Sequence, residues 1–170
     1  MLVDTDHLWG GSAPAATLLS WVWKTFCRGH NLIFYDHSTA LGDNTIRPYA
    51  GFDLIRDNLG YVRMYSQRMD LAEAVPSSDL ASTKYCLSDR KICFLVFKPA
   101  AGPSQEVMKP ITSVRVDLTG APGLFDVEWF DPRTGRIIPS GQIGGGSWIV
   151  LFSPVEDEAI LFLWKPMPPR

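Results

Sequence analysis

The sequence predicts a two-part α+β chain, in which a β-α-β-α segment over residues 1–76 precedes an antiparallel β-sandwich over residues 77–170. Three observations carry this expectation. From Leu2 to Pro76, short apolar runs alternate with stretches of helical period. From Ser82 to Lys165, short runs rich in β-branched and aromatic residues are separated by Gly, Pro and Asp turns. The linker Pro76-Ser-Ser-Asp79 lies where the period changes.

The first element is a very short buried strand at Leu2-Val3, followed at once by Asp4, Asp6 and His7. Ser12 with Pro14 signals a helix start, because a Ser hydroxyl caps free N–H groups and Pro is tolerated in the first turn. Leu18, Leu19, Val22, Trp23 and Phe26 then recur at helical spacing, and Gly29 ends the element. Next comes Leu32-Ile-Phe-Tyr35, a continuous apolar run of the kind found in parallel strands buried on both faces, ending in Asp36-His37-Ser38. After a polar loop with Gly42, Asp43 and Asn44, a second helix is predicted from about Phe52 to Ala74, carrying Leu54, Tyr61, Met64, Tyr65, Met69 and Leu71. Pro76 stops it. The order β-α-β-α with right-handed crossovers is the repeating unit of a parallel sheet or of a (β/α) barrel, and two units cannot close an eight-stranded barrel. Such a segment by itself leaves strand edges unpaired and helix faces bare.

In the second part the candidate strands are Thr83 to Leu87, Ile92 to Phe97, Ser113 to Leu118, Phe125 to Phe130, Arg136 to Ile138, Trp148 to Phe152 and Ala159 to Trp164. Asp131-Pro-Arg-Thr-Gly135 reads as a hairpin turn, with Pro fixing φ and Gly free to take a left-handed conformation. Gly144-Gly-Gly146 precedes a strand and not a helix N-terminus, so it reads as a hairpin connection and not as a phosphate loop. No exposed aromatic row that demands a ligand is legible in this part.

Composition narrows the function classes. The 170 residues are 46% hydrophobic and 20% charged, ordinary for a globular chain with a real core. Sixteen Lys+Arg stand against 18 Asp+Glu with no basic run that would track a phosphate backbone, so nucleic acid is not expected as a partner. No uninterrupted apolar stretch is long enough to span a bilayer, and no membrane partner is expected. The first residues lack the charged, apolar and small-residue segments of a signal peptide. Cys27, Cys86 and Cys93 sit among apolar neighbours and are expected to be buried free thiols, with a Cys86–Cys93 bridge as the alternative. No cofactor is expected.

Asp4, Asp6 and His7 form the sharpest chemical signal. In a barrel, residues at the C-terminal ends of strands face the active site, so Asp4 and Asp36 would come from consecutive strands on one rim. Two other readings stay open: Asp4 or Asp6 caps the following loop while His7 is a satisfied hydrogen-bonding residue, or the three hold a metal, although their spacing matches no recognised frame. Trp9, Tyr35 and Tyr49 near the strand mouths suit stacking on sugar rings, whereas Trp21 and Trp23 fall at helical spacing and read as core. An apolar run followed by Asp-x-Asp also resembles phosphotransferases of the haloacid dehalogenase type. Against this, Leu8 stands where their motif carries Thr or Val, and the β-rich remainder offers none of their later motifs.

A broader match runs through the whole chain. Asp4-Thr-Asp-His-Leu-Trp-Gly10, Trp21-Val-Trp-Lys-Thr-Phe26 with Arg28-Gly29, and Ile33-Phe34 with Asp36 are followed by Leu59-Gly-Tyr61 and Arg68-Met-Asp-Leu71. Pro76, Ser82-Thr83, Tyr85-Cys-Leu87 and Trp129-Phe-Asp-Pro-Arg-Thr-Gly135 continue it in order. Together they resemble the C-terminal part of the apiosidase-like glycoside hydrolases, (β/α) barrel enzymes with a C-terminal β-sandwich that in some members carries a collagen-binding label. The resemblance implies that residues 1–76 are the last two β/α units of a (β/α)8 barrel and residues 77–170 the appended sandwich. It implies a carbohydrate substrate of plant, pectic type, and a periplasmic or secreted setting in a bacterium. In that clan the catalytic carboxylates follow strands four and seven, and Asp4 occupies the strand-seven place as nucleophile or base. Asp6, His7, Trp9, Asp36 and His37 become substrate-binding or supporting groups, His37 standing where the family often has Pro. The strand-four acid has no counterpart in this chain. Glycoside hydrolysis by two carboxyl groups needs both, so the 170-residue chain is expected to be an inactive fragment by itself. The alternative is a non-catalytic module in which the sandwich works as scaffold or as a carbohydrate- or protein-binding unit.

Overall fold

The computed structural model describes residues 2–3, 15–34, 50–101 and 110–166. The elements are β1 (Leu2–Val3), α1 (Ala15–Cys27), β2 (Asn31–Leu32), α2 (Ala50–Ser66), β3 (Val75–Pro76) and a 3₁₀ turn at Ser78–Leu80. They continue with β4 (Cys86–Ser88), β5 (Cys93–Lys98), β6 (Ser113–Asp117), β7 (Leu124–Asp131), β8 (Arg136–Gly144), β9 (Trp148–Phe152) and β10 (Ala159–Trp164). β1 and β2 pair in parallel, with α1 as their crossover. The larger sheet is antiparallel, in the order β3-β4-β5-β10-β7-β8, and β6 pairs with β9 in a second antiparallel sheet. Among the described residues the fold is thus a mixed one, with α1 and α2 on mostly antiparallel sheets.

Period-two alternation in the central strands explains how these layers pack. In β5, Cys93, Leu95 and Phe97 join α1 and α2 in one buried cluster, while Phe94 and Val96 enter a second cluster shared with β6 and β9. β10 divides likewise: Ile160 and Phe162 face the helices, and Ala159, Leu161 and Leu163 face the small sheet. Strands covered on both faces read as continuous apolar runs even when antiparallel. The helices and the strands after residue 77 therefore share a core.

Local chemistry sets the element ends. α1 buries Leu18, Leu19, Val22, Trp23, Phe26 and Cys27. It closes at Gly29, whose φ of +71° suits glycine, and a Cβ there would sit 3.1 Å from the Pro76 ring. Trp23 packs against both Tyr65 and Phe130, at centroid distances of 6.0 and 6.2 Å. Its Nε1 donates to Asn58 Oδ1 at 2.7 Å, while Asn58 Nδ2 donates to the Leu54 and Pro132 carbonyls at 2.8 and 3.0 Å. One buried amide thus ties α1, α2 and the turn after β7.

Several boundaries differ from the sequence expectation. The second helix ends at Ser66 and not at Ala74. There the Ser66 hydroxyl donates to the Arg63 carbonyl, Arg68 N–H reaches back only to Tyr65, and Asp70 captures the Ala72 amide in a local turn. Pro76 lies well beyond that end, inside the two-residue strand β3 that pairs with Leu87 and Ser88 at a sheet edge, where a missing donor is tolerated. β2 covers only Asn31–Leu32, and Ile33 is exposed, so this run is not buried on both faces. β4 begins at Cys86, because Lys84 takes a left-handed φ of 66° just before it. β8 runs to Gly144, far past Ile138. The Gly144–Gly146 segment is not a hairpin connection: β8 belongs to the large sheet and β9 to the small one, so it crosses between layers. All three cysteines are buried and free, which removes the disulfide alternative.

Candidate functional site

Asp4, Asp6, His7, Trp9, Asp36 and His37, with Tyr35 and Tyr49, lie outside the described residues. What is described is the frame on which they follow. Leu2 pairs with Asn31 and Val3 with Leu32, in parallel register. Parallel pairing puts the C-terminal ends of both strands at the same edge, one residue before Asp4 and four before Asp36. Among the described residues β2 pairs with no strand other than β1. Trp23 is buried core, as its spacing predicts, while Trp21 is half-buried and borders a cleft.

Sequence reasoning missed two buried carboxylates. Glu128 of β7 lies on the helix side of the large sheet, 6% exposed. It accepts a hydrogen bond from the Tyr65 hydroxyl at 2.6 Å and a bidentate pair from Arg68 at 2.8 and 3.0 Å. The Arg68 guanidinium stacks 4.4 Å from the Phe162 centroid and 4.9 Å from that of Trp164. Burial, then the Glu128 carboxylate beside it, pushes the Tyr65 phenol far above its ordinary value. With three donors on two oxygens, Glu128 is engaged as a clamp between α2 and β7. Alternation along β7 gives Glu128 the appearance of a solvent-facing strand residue, so the sequence carries no signal for it.

Glu158, at the start of β10, is also buried. Arg133 donates to its Oε2 from Nη2 at 2.9 Å and from Nε at 3.3 Å, and Ser20 Oγ donates to Oε1 at 3.4 Å. It forms the floor of an open cleft of about 620 Å³, walled by Thr17, Trp21 and Lys24 of α1 and by Pro99 to Ala101. Nearby, Lys98 is enclosed, donating from Nζ to the Glu156 and Asp157 carbonyls at 3.1 and 2.5 Å. Burial lowers its pKa, partly opposed by Glu158 and Asp157.

Two-carboxylate glycoside chemistry needs carboxyl groups about 5–5.5 Å apart for retention, and further apart for inversion. Glu128 and Glu158 are each held by arginines of this chain, and they tie layers together. No group of His, Cys, Asp and Glu that could hold a metal occurs among the described residues. No helix among them is long and apolar enough to cross a membrane.

No family model matches the chain, and no curated protein does. Solved structures do. A protein described as a glycoside hydrolase superposes with a TM-score of 0.62 at 9% identity, over 89% of this chain and 37% of its own. A glycoside hydrolase family 5 protein from Bacteroides vulgatus superposes with a TM-score of 0.64 at 11% identity, over 93% of this chain and 38% of its own. The chain thus spans a little over a third of the length of these structures. What it shares with them is the fold, a part of the architecture found in glycoside hydrolases.

Proposed function

We propose that this chain is the C-terminal part of an apiosidase-like glycoside hydrolase acting on pectic oligo- or polysaccharide. Residues 1–76 contribute the last two β/α units of the barrel, and residues 77–170 its appended β-sandwich. The observation that supports the reading is the parallel β1–β2 pair, whose C-terminal ends precede Asp4 and Asp36 in the sequence, in a chain whose fold is shared with glycoside hydrolases. Asp4 serves as the strand-seven nucleophile or base; Asp6, His7, Trp9, Asp36 and His37 bind and orient the sugar. The acid that must protonate the leaving oxygen belongs to strand four, so the 170-residue chain by itself holds half a site and does not turn over.

The test has two arms. The isolated chain incubated with apiose- or arabinose-containing pectic oligosaccharides should release no product. In a relative with a complete barrel, changing the residue aligned with Asp4 to Asn should abolish hydrolysis while the circular dichroism spectrum stays unchanged. Near-normal activity in that variant removes Asp4 from the catalytic role.

A further inference from the structure

The small sheet shows an exposed apolar row, with an aromatic ring at each end, that its sequence does not advertise. β9 reads Trp148-Ile-Val-Leu-Phe152, apolar throughout, yet only Ile149 and Leu151 turn inward to the second core cluster. Trp148, Val150 and Phe152 project from the opposite face, 46%, 54% and 75% exposed. β6 runs alongside in register and sets Asp117, Arg115 and Ser113 directly opposite Trp148, Val150 and Phe152. The Arg115 guanidinium lies 4.8 Å from the Trp148 ring centroid. The outer face is therefore an apolar row beside a polar row, each three side chains long. Trp148 and Phe152 are separated by about 13 Å along the strand, four residues at the ordinary rise.

We propose that this face is a glycan-binding platform, on which an extended polysaccharide strand lies along β9. Sugar rings present C–H groups on their faces and hydroxyls at their edges. The row of Trp148, Val150 and Phe152 takes the faces, and Arg115, Asp117 and Ser113 take the hydroxyls of the same rings. The spacing of the aromatics lets them stack on different residues of one chain. A second copy of this chain is a poorer occupant, since three separated apolar side chains fall far short of the roughly 800 Å² per partner that a stable interface buries. The reading of the chain as part of a pectin-active hydrolase enters only in the choice of probes.

Affinity electrophoresis of the whole chain in gels containing polygalacturonate or debranched arabinan tests this. Retardation on at least one is expected, weakened about tenfold in Trp148→Ala and in Phe152→Ala, the effect of losing about 1.4 kcal/mol of contact. Both side chains are exposed, so thermal unfolding should show the variants folded. Ile137→Ala, which removes an exposed apolar side chain of β8 on the large sheet, should bind as the parent does. Absence of retardation on both polysaccharides overturns the proposal, as does unchanged binding in the two aromatic variants. So does loss in Asp4→Asn alone, which moves the bound chain to the strand mouths and leaves the hydrolase reading standing. If sedimentation shows a dimer that Trp148→Ala abolishes while glycan binding is absent, the face is a self-contact and the platform is refuted.

Discussion

Glu128→Ala removes the group on which α2 converges with the large sheet. Three hydrogen bonds vanish together, from the Tyr65 hydroxyl and from both ends of the Arg68 guanidinium. Truncating one partner of a buried ion pair costs about 3–5 kcal/mol, because the other charge is left uncompensated. Here Arg68 keeps 30% of its side-chain surface and its stacking on Phe162 and Trp164, so it recovers part of its hydration. Tyr65 has no such outlet, being fully buried. The expected loss is about 2–3 kcal/mol, below that range because Arg68 rehydrates in part, with the stranded Tyr65 hydroxyl supplying about 1–3 kcal/mol of it. Against a typical domain stability of about 5–15 kcal/mol this is easily measured. Urea unfolding followed by tryptophan fluorescence should show the midpoint falling with an unchanged slope. Arg68→Ala in the Glu128→Ala background should cost much less than Arg68→Ala alone, since the pair is already broken. A Glu128→Ala variant within about 0.5 kcal/mol of the parent, the range of ordinary surface changes, would refute the clamp.

Two further outcomes follow from burial. Cys27 and Cys93, their thiols pushed up to about 12 by desolvation, and Cys86, raised well above its ordinary value, should not react with a disulfide reagent at neutral pH in the folded chain. All three should react once urea unfolds it; rapid native labelling would show that the core opens. Lys98, with its pKa lowered from 10.5 by burial, binds fewer protons folded than unfolded just below that value. The folded state therefore gains on the unfolded one as pH rises toward 10.5, and loses as pH falls through the folded pKa. Measured as the stability difference between parent and Lys98→Met, this gain should appear only in the parent; parallel pH curves would contradict it.

Local patterns were legible and distant pairings were not. α1 is readable because Leu18, Leu19, Val22, Trp23 and Phe26 recur at helical spacing and Gly29 supplies the stop. The Asp131–Gly135 turn is equally local: Gly135 takes a φ of +71°, and Asp131 accepts from the Arg133 amide and the Thr134 hydroxyl. Glu128 was opaque, since alternation makes it resemble a solvent-facing strand residue and its partners sit 60 and 63 positions away. Trp148, Val150 and Phe152 were hidden for the opposite reason. In a strand with no polar residue, alternation cannot say which face is wet. The proposed Asp4 and Asp36 site rests on resemblance and on strand order, and the parallel β1–β2 register bears only on the order.

The central claim, a half-site at the shared end of β1 and β2, is tested most directly by titrating the isolated chain with short apiose- or arabinose-containing pectic oligosaccharides. Amide chemical shifts and product release would be followed in the same samples. The account predicts perturbed amides at Val3 and over Leu32 to Phe34, lost in Asp4→Asn, with no product. Product formed at enzyme-like rates, or shifts that leave both strand ends untouched, would contradict it.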